Sequence, residues 1–281
     1  MYKIVESLTL TADIFQFEVK SDRIAKTCEP GQFVIVRADE NGERIPLTIS
    51  DYNRKDGTIK LVFQVVGAST HALSLLKTGD SLKDIAGPLG KCSSFVNEPQ
   101  ENLKQKRFLF VAGGVGCAPV FPQVKWLTGN GVTADVIIGF RNKSLVIMES
   151  EMEEVATKLY VTTDDGSHGY HGQVTAMIKE LCQAGQSYDI CIAIGPTVMM
   201  KYVALLTKEL GIPTIVSMNP VMVDGTGMCG ACRLTVDGEV KFACVDGPEF
   251  DGHMVDFDEA MMRLGQYHSE EKAAYRAAIA E

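Results

Sequence analysis

No stretch of this chain approaches the roughly eighteen uninterrupted apolar residues that a membrane-crossing helix needs. Its opening, M-Y-K-I-V-E-S-L-T-L, mixes charged and polar side chains into the first residues and has no apolar core of the kind a secretory signal carries. The expected compartment is the cytoplasm. Positive charge is in short supply: the formal net charge is −9, so partners coated in phosphate, nucleic acid or anionic membrane, would be repelled. No Ser-His-Asp arrangement is visible. The five histidines show no metal spacing beyond His168-x-x-His171, which reads as a nucleotide-proximal or exposed pair in a glycine-rich loop. Cys28, Cys92, Cys117, Cys182 and Cys191 are scattered without a pairing pattern. They read as reduced thiols packed as small hydrophobes, and no disulfide framework is implied. What remains is a chain of 281 residues, 46% hydrophobic and 22% charged, long enough for two domains and an appendage.

The other three cysteines are not scattered. Cys229, Cys232 and Cys244 follow Asp224 in the order Asp-x4-Cys-x2-Cys-x11-Cys. A plant-type [2Fe–2S] centre uses Cys-x4-Cys-x2-Cys with a more distant fourth cysteine, so the fit is complete if Asp224 stands in the first position. By analogy with that spacing, Asp224 and Cys229 go to one iron, Cys232 and Cys244 to the other. Gly225, Gly227 and Gly230 let the loop turn tightly and aim amides at inorganic sulfur. Three thiolates and a carboxylate also suit zinc, and unliganded thiols are a third possibility. The residue types alone leave these open.

The first third, residues 1–98, reads as six short β-runs: I-V-E-S-L-T-L-T, I-F-Q-F-E-V, F-V-I-V-R-A, I-P-L-T-I-S, I-K-L-V-F-Q-V-V and S-L-K-D-I-A. They are separated by turn signals such as Asn41-Gly42 and Asp56-Gly57, which predicts a small antiparallel barrel. Within it, Arg44-Ile45-Pro46-Leu47-Thr48-Ile49-Ser50 is one extended segment. Strict alternation would put Arg44, Pro46, Thr48 and Ser50 on one side, a face able to hold a flat heterocycle with the guanidinium on a phosphate. Val66-Gly67-Ala68-Ser69-Thr70 then opens a short helix whose free amides suit pyrophosphate.

Residues 99–218 change character, after a polar linker expected over residues 97–106. Apolar runs without alternation, as in F-L-F-V-A-G-G-V-G and D-I-C-I-A-I-G-P, predict parallel strands covered by helices on both faces. Ligands bind at the carboxyl ends of such strands. The residues expected there are Gly113, Gly114, Val115 and Gly116, then Asp164, Asp165 and Gly166, then Gly195, Pro196 and Met199. Arg141 with Lys143 is the one pair available for a 2′-phosphate, which favours NAD(H) over NADP(H). Residues 219–256 hold the cysteine loop and a hairpin turning at Asp237-Gly238. A helical tail closes the chain over residues 257–281.

R-I-P-L-T-I-S, G-A-S-T and I-A-G-P-L-G together resemble the FAD-binding domain of the ferredoxin–NADP reductase superfamily. G-G-V-G-C-A-P and G-P-x-x-M resemble its NAD(P)-binding domain, with Ile194 where many relatives carry cysteine. The resemblance implies FAD held by Arg44, Thr48, Ser50, Gly67, Ser69 and Thr70, within the wider set Pro46, Leu47, Ile49 and Val66. It also implies NAD(H) across the α/β half. The order FAD barrel, nucleotide domain and C-terminal [2Fe–2S] loop resembles electron-transfer subunits of two kinds of complex. One is NAD-dependent dihydroorotate dehydrogenase, with four loop cysteines. The other is NADH-dependent reduced ferredoxin:NADP oxidoreductase, also described as sulfide dehydrogenase, with aspartate replacing the first. The second resemblance implies a heterodimer with a larger FAD and [4Fe–4S] subunit that binds NADP(H), ferredoxin reached through that complex, and flavin-based electron bifurcation. A zinc-stapled, non-redox regulatory module is the rival from another class.

Overall fold

The computed structural model describes residues 2–280. The first sheet contains β1 (Tyr2–Thr9), β2 (Ile14–Lys20), β3 (Phe33–Arg37), β4 (Ile45–Asn53), β5 (Thr58–Gln64), β6 (Ser81–Leu82) and β7 (Asp84–Leu89), with the short helices α1 (Asp22–Thr27) and α2 (Ala68–Ser74) between them. The strands run antiparallel in the order β6-β1-β2-β5-β4-β3-β7. The run S-L-K-D-I-A, expected as one strand, is two. It breaks at Lys83, whose amide donates to the Arg37 carbonyl at 3.0 Å, and its halves pair with opposite edges of the sheet. That one segment nearly closes the barrel. Phe17, Phe63, Ile59 and Leu61 fill the interior with essentially no exposure, each contributing about 1.5–3 kcal/mol of burial.

The second sheet is parallel through β8 (Phe108–Gly113), β9 (Ala134–Phe140), β10 (Lys158–Thr163), β11 (Tyr170–His171), β12 (Ile190–Ile194) and β13 (Thr214–Ser217). Every residue of β8 is buried, as its unbroken apolar run requires. Helices α3 (Gln100–Leu103), α4 (Cys117–Gly129), α5 (Glu149–Val155), α6 (Val174–Gln183) and α7 (Thr197–Glu209) connect the strands. The segment expected as a polar linker is partly helical and anchored by Leu103, which is fully buried.

The hairpin of β14 (Arg233–Val236) and β15 (Glu239–Phe242) turns through Asp237 (φ 52) and Gly238 (φ 73), the two positive-φ positions of a type I′ turn. After α8 (Ala243–Asp246), β16 (Glu249–Asp251) adds an antiparallel edge to β13, giving the order β11-β10-β9-β8-β12-β13-β16. The cysteine-bearing region is thus stitched into the α/β sheet. Its core is shared as well: Met218, Met222, Cys232, Leu234 and Phe257 join Val203 of α7 and Phe33 and Ile35 of β3 in one buried cluster. The tail forms α9 (Phe257–Leu264) and α10 (His268–Ala278). Helix α9 docks on the hairpin, with the Glu259 carboxylate accepting from the Thr235 amide at 3.0 Å. Tyr275 of α10 stacks edge-on against His71 of α2, with ring centroids 5.9 Å apart. No described helix is long and apolar enough to cross a membrane.

Candidate functional site

A cavity of about 1340 Å³ opens where the barrel, the carboxyl ends of the parallel strands and the approach to the cysteine loop meet. Pockets for a single small ligand usually span about 300–1,000 Å³, so this one has room for more than one. Pro46, Leu47 and Thr48 of β4 form one wall, with Val66 and Thr70 beside them. Gly113, Gly114, Val115 and Gly116 form the opposite wall, joined by Arg141, Asp164, Gly195, Pro196 and Met199. Fourteen residues read from the sequence therefore face one space.

The backbone explains why glycine is needed in this turn. A Cβ on Gly116 would lie 2.1 Å from the Ile194 carbonyl oxygen, so β8 and β12 can approach here only because the side chain is absent. Gly114 has φ +54 and open space where a Cβ would point, leaving a bare cradle at the start of the thirteen-residue α4. Free amides at such a helix start favour anions. Thr162 also lines the cavity, and its buried Oγ1 has no hydrogen-bond partner. A polar ligand would satisfy it, so cradle, volume and orphaned hydroxyl together fit a bound dinucleotide.

Other residues read from the sequence lie elsewhere. Arg44 precedes β4, is exposed, and is not part of the cavity wall. The strict alternation expected for β4 fails at a bulge, since the register with β5 shifts between Ile49 and Asp51. The extra residue turns Ile49 and Ser50 both inward, to 2% and 1% exposure, so Ser50 does not share a face with Thr48. Ser69 donates from Oγ to Glu43 at 2.5 Å. The Thr70 hydroxyl accepts from the Val66 and Gly67 amides, at 2.9 and 3.1 Å, so the α2 start is capped from within. Asp165 accepts from the Ser167 amide and hydroxyl, at 2.9 and 2.6 Å, which holds its carboxyl below the ordinary value. It and Gly166 close a turn outside the cavity. His168 pairs with Glu149 at 2.9 Å.

Sequence reading missed Met218, Asn219, Met222 and Pro248, which bring the cysteine region to the same cavity. The available signal was position, since these residues lie just before Asp224 and just after Cys244.

In the loop itself the donors stand as two pairs. Cys232 and Cys244 are buried with their sulfurs 3.3 Å apart, well beyond the about 2.05 Å of a disulfide. Burial and the adjacent Cys232 sulfur push the Cys244 thiol up to about 12, opposed by the Gly227 amide pointing at it. The Asp224 carboxylate accepts from the Thr226 amide at 2.9 Å and the Cys229 amide at 2.8 Å, and lies beside the Cys229 thiol. The Thr226 amide leads in holding this carboxyl below its ordinary value. Gly225 (φ +76) presses the loop onto the barrel, where a Cβ would meet Ile35 and Leu89 at 2.6 and 2.7 Å. Among the described residues no three His, Cys, Asp or Glu side chains converge on one point. Two pairs suit a two-iron cluster, in which each iron takes two protein ligands.

Comparison with known proteins gives this geometry a family. The model of the iron-sulfur cluster binding domain of dihydroorotate dehydrogenase B matches residues 219–256. A dihydroorotate dehydrogenase B (NAD(+)) electron transfer subunit homolog of Thermotoga maritima is 46% identical, covering 97% of this chain and 94% of its own. The electron transfer subunit of Geobacillus thermodenitrificans is 32% identical, covering 88% and 94%. The chain belongs to the dihydroorotate dehydrogenase B electron transfer subunit family. The same fold occurs in a chain of the NADH-dependent reduced ferredoxin-NADP oxidoreductase, a structure described for flavin-based electron bifurcation. The TM-score is 0.91 at 44% identity, over 99% of this chain and 98% of that one. The present chain is an electron-transfer subunit of a flavin-based oxidoreductase, and the relatives it matches are named as subunits of larger enzymes. The cofactor set expected from the sequence, FAD, NAD(H) and a [2Fe–2S] cluster, follows from fold and family, and the zinc-stapled module is set aside.

Proposed function

We propose that this subunit relays electrons between NAD(H), FAD and the cluster inside an electron-bifurcating complex of the NADH-dependent reduced ferredoxin:NADP oxidoreductase type. The observation that carries this reading is Asp224, an oxygen donor paired with Cys229 at the first position of the ligand spacing, the replacement that the resemblance to the NADH-dependent reduced ferredoxin:NADP oxidoreductase implies. Identity does not separate the two readings, being 44% to the bifurcating complex's chain, 46% to the Thermotoga homolog and 32% to the Geobacillus subunit, so the choice rests on Asp224. The match to the dihydroorotate dehydrogenase iron-sulfur domain keeps that enzyme as a second reading.

On this reading the chain's own residues divide the work. Pro46, Leu47 and Thr48 would give the flavin ring a rigid edge to lie on, with Val66 and Thr70 bounding its phosphate side; Arg44, exposed outside the cavity wall, would have to swing inward to meet a phosphate. The amides of the Gly113–Gly116 turn and the start of α4 orient the pyrophosphate of NAD(H). Met199, packed against Gly113 and Gly195, shapes the floor beneath the nicotinamide. Arg141 and Asp164 border the far end, and the Asp164 carboxylate disfavours a 2′-phosphate. Asp224 with Cys229, and Cys232 with Cys244, hold the two irons. When bound, the flavin supplies exchange between two-electron and one-electron chemistry. The partner is then a larger FAD and [4Fe–4S] subunit that binds NADP(H), and ferredoxin acts through it.

Isolation of the chain from its native source with whatever co-purifies tests this. NADPH formation that requires NADH and reduced ferredoxin together is expected. NAD-dependent oxidation of dihydroorotate by the isolated complex would instead select the second reading.

A further inference from the structure

Outside the cavity and the cysteine loop, β16, α4 and the segment after β7 meet at one buried point. Glu249 of β16 turns its carboxylate inward there. Its Oε1 accepts from the Ser93 hydroxyl and from the Gln123 amide nitrogen, both at 2.9 Å. Ser93 and Gln123 are 0% and 1% exposed. The second carboxylate oxygen, Oε2, is buried with no partner, and so is Oε1 of Gln123.

The chemistry of that pair is specific. An amide already donating to one oxygen of a carboxyl group can accept from the other only if that oxygen carries a proton, and the result is a cyclic acid–amide pair. A single proton on Glu249 Oε2 would give both orphaned acceptors a donor relation and remove a buried charge. Among the described residues no cation pairs with Glu249. The charged side chains on the surrounding segments are committed or point away: Lys125 pairs with Asp51, Glu29 with Arg54, and Lys91 is exposed. Burial accordingly raises the Glu249 carboxyl to about 7.

We propose that Glu249 is a proton-gated clasp. Protonated, it joins the iron–sulfur segment to the barrel side through Ser93 and to the α/β domain through Gln123; ionised, it loosens that three-way junction. Pro248, its neighbour, lines the main cavity, so the clasp fixes how the cysteine region sits against the wall where the nucleotides bind. The sign follows from the raised value: the folded state holds this proton more tightly than the unfolded chain. Stability from the clasp is full below the ordinary glutamate range and declines as pH rises through about 7.

The test uses the purified holoprotein. Unfolding midpoints across pH 5 to 8 compare the wild type with Glu249→Gln, whose side-chain amide can donate to Gln123 without titrating. Glu249→Gln is expected to keep the wild type's low-pH midpoint and to lose the decline that the wild type shows as pH approaches neutrality. In parallel, infrared difference spectra of the wild type should show a protonated-carboxyl band that disappears near neutral pH, a readout available even if the variant folds poorly. An unchanged pH slope in Glu249→Gln, or a carboxyl fully ionised at pH 5.5, would overturn the proposal.

Discussion

The main cavity and the cysteine loop are neighbours built on opposite principles. The cavity is walled by strands and a helix start whose positions are fixed by burial, and its glycines create space between elements that already pack. The loop has no regular structure between β13 and β14, and its shape rests on left-handed glycines and on one aspartate accepting two amides. On the proposed reading a dinucleotide would meet a preformed surface, and the irons would meet donors that stand in two pairs. The lesson is that the cavity should tolerate loss of its ligand and the loop should not.

The largest effect expected from that contrast is at Cys232. Its sulfur is buried beside Cys244, so Cys232→Ser removes one of the two donors of that pair with no exposed alternative at hand. Bound iron and acid-labile sulfide should fall to near zero with the flavin content retained, as read by iron and flavin assays on the same sample. Loss of flavin in parallel with iron would mean that the cavity depends on the loaded loop for its shape, through the core that Cys232 shares with Phe33 and Ile35.

Next in size is the approach at Gly116. Gly116→Ala forces a Cβ to within 2.1 Å of a backbone carbonyl that cannot rotate away. Overpacking of this kind costs about 1–3 kcal/mol. Here it should also weaken NAD(H) binding, measured by titration, with the cluster's absorbance unchanged.

Why these features differ in legibility follows from what a local pattern can carry. The unbroken F-L-F-V-A-G run and the Asp237-Gly238 turn state their structure within a few residues, and the spacing from Asp224 to Cys244 states a chemistry. The bulge at Ser50 does not, because alternation is broken by the register of β5 and not by anything in β4. Strand β16 is three residues, E-F-D, with no period to read. The Glu249 junction joins Ser93, Gln123 and Glu249 from three distant segments, and a polar residue that will be buried looks like any other until the chain closes over it.

A smaller effect sharpens the account of Asp224. Asp224→Cys should retain full iron content, because a thiolate completes the four-cysteine pattern, and the cluster's midpoint potential should move. Loss of the two amide bonds to the carboxylate loosens the loop. Absence of all cluster signal in the variant would show that Asp224 serves the loop as an amide acceptor only.

The smallest effect belongs to the surface between barrel and α/β domain. Lys125 of α4 reaches Asp51 of β4 at 2.9 and 3.0 Å, with the lysine side chain 49% exposed. Such a pair is screened by solvent and contributes at most about 1 kcal/mol. Lys125→Met keeps an unbranched stem and removes the ammonium, which also lies 5.5 Å from the Phe121 ring centroid. The variant should differ from the wild type by less than about 1 kcal/mol in denaturant unfolding, with the difference vanishing at high salt. A larger, salt-independent loss would mean that the two domains depend on this ion pair for their alignment. The burial of Phe33, Ile35 and Met222 in one core with the α/β helices argues that they do not.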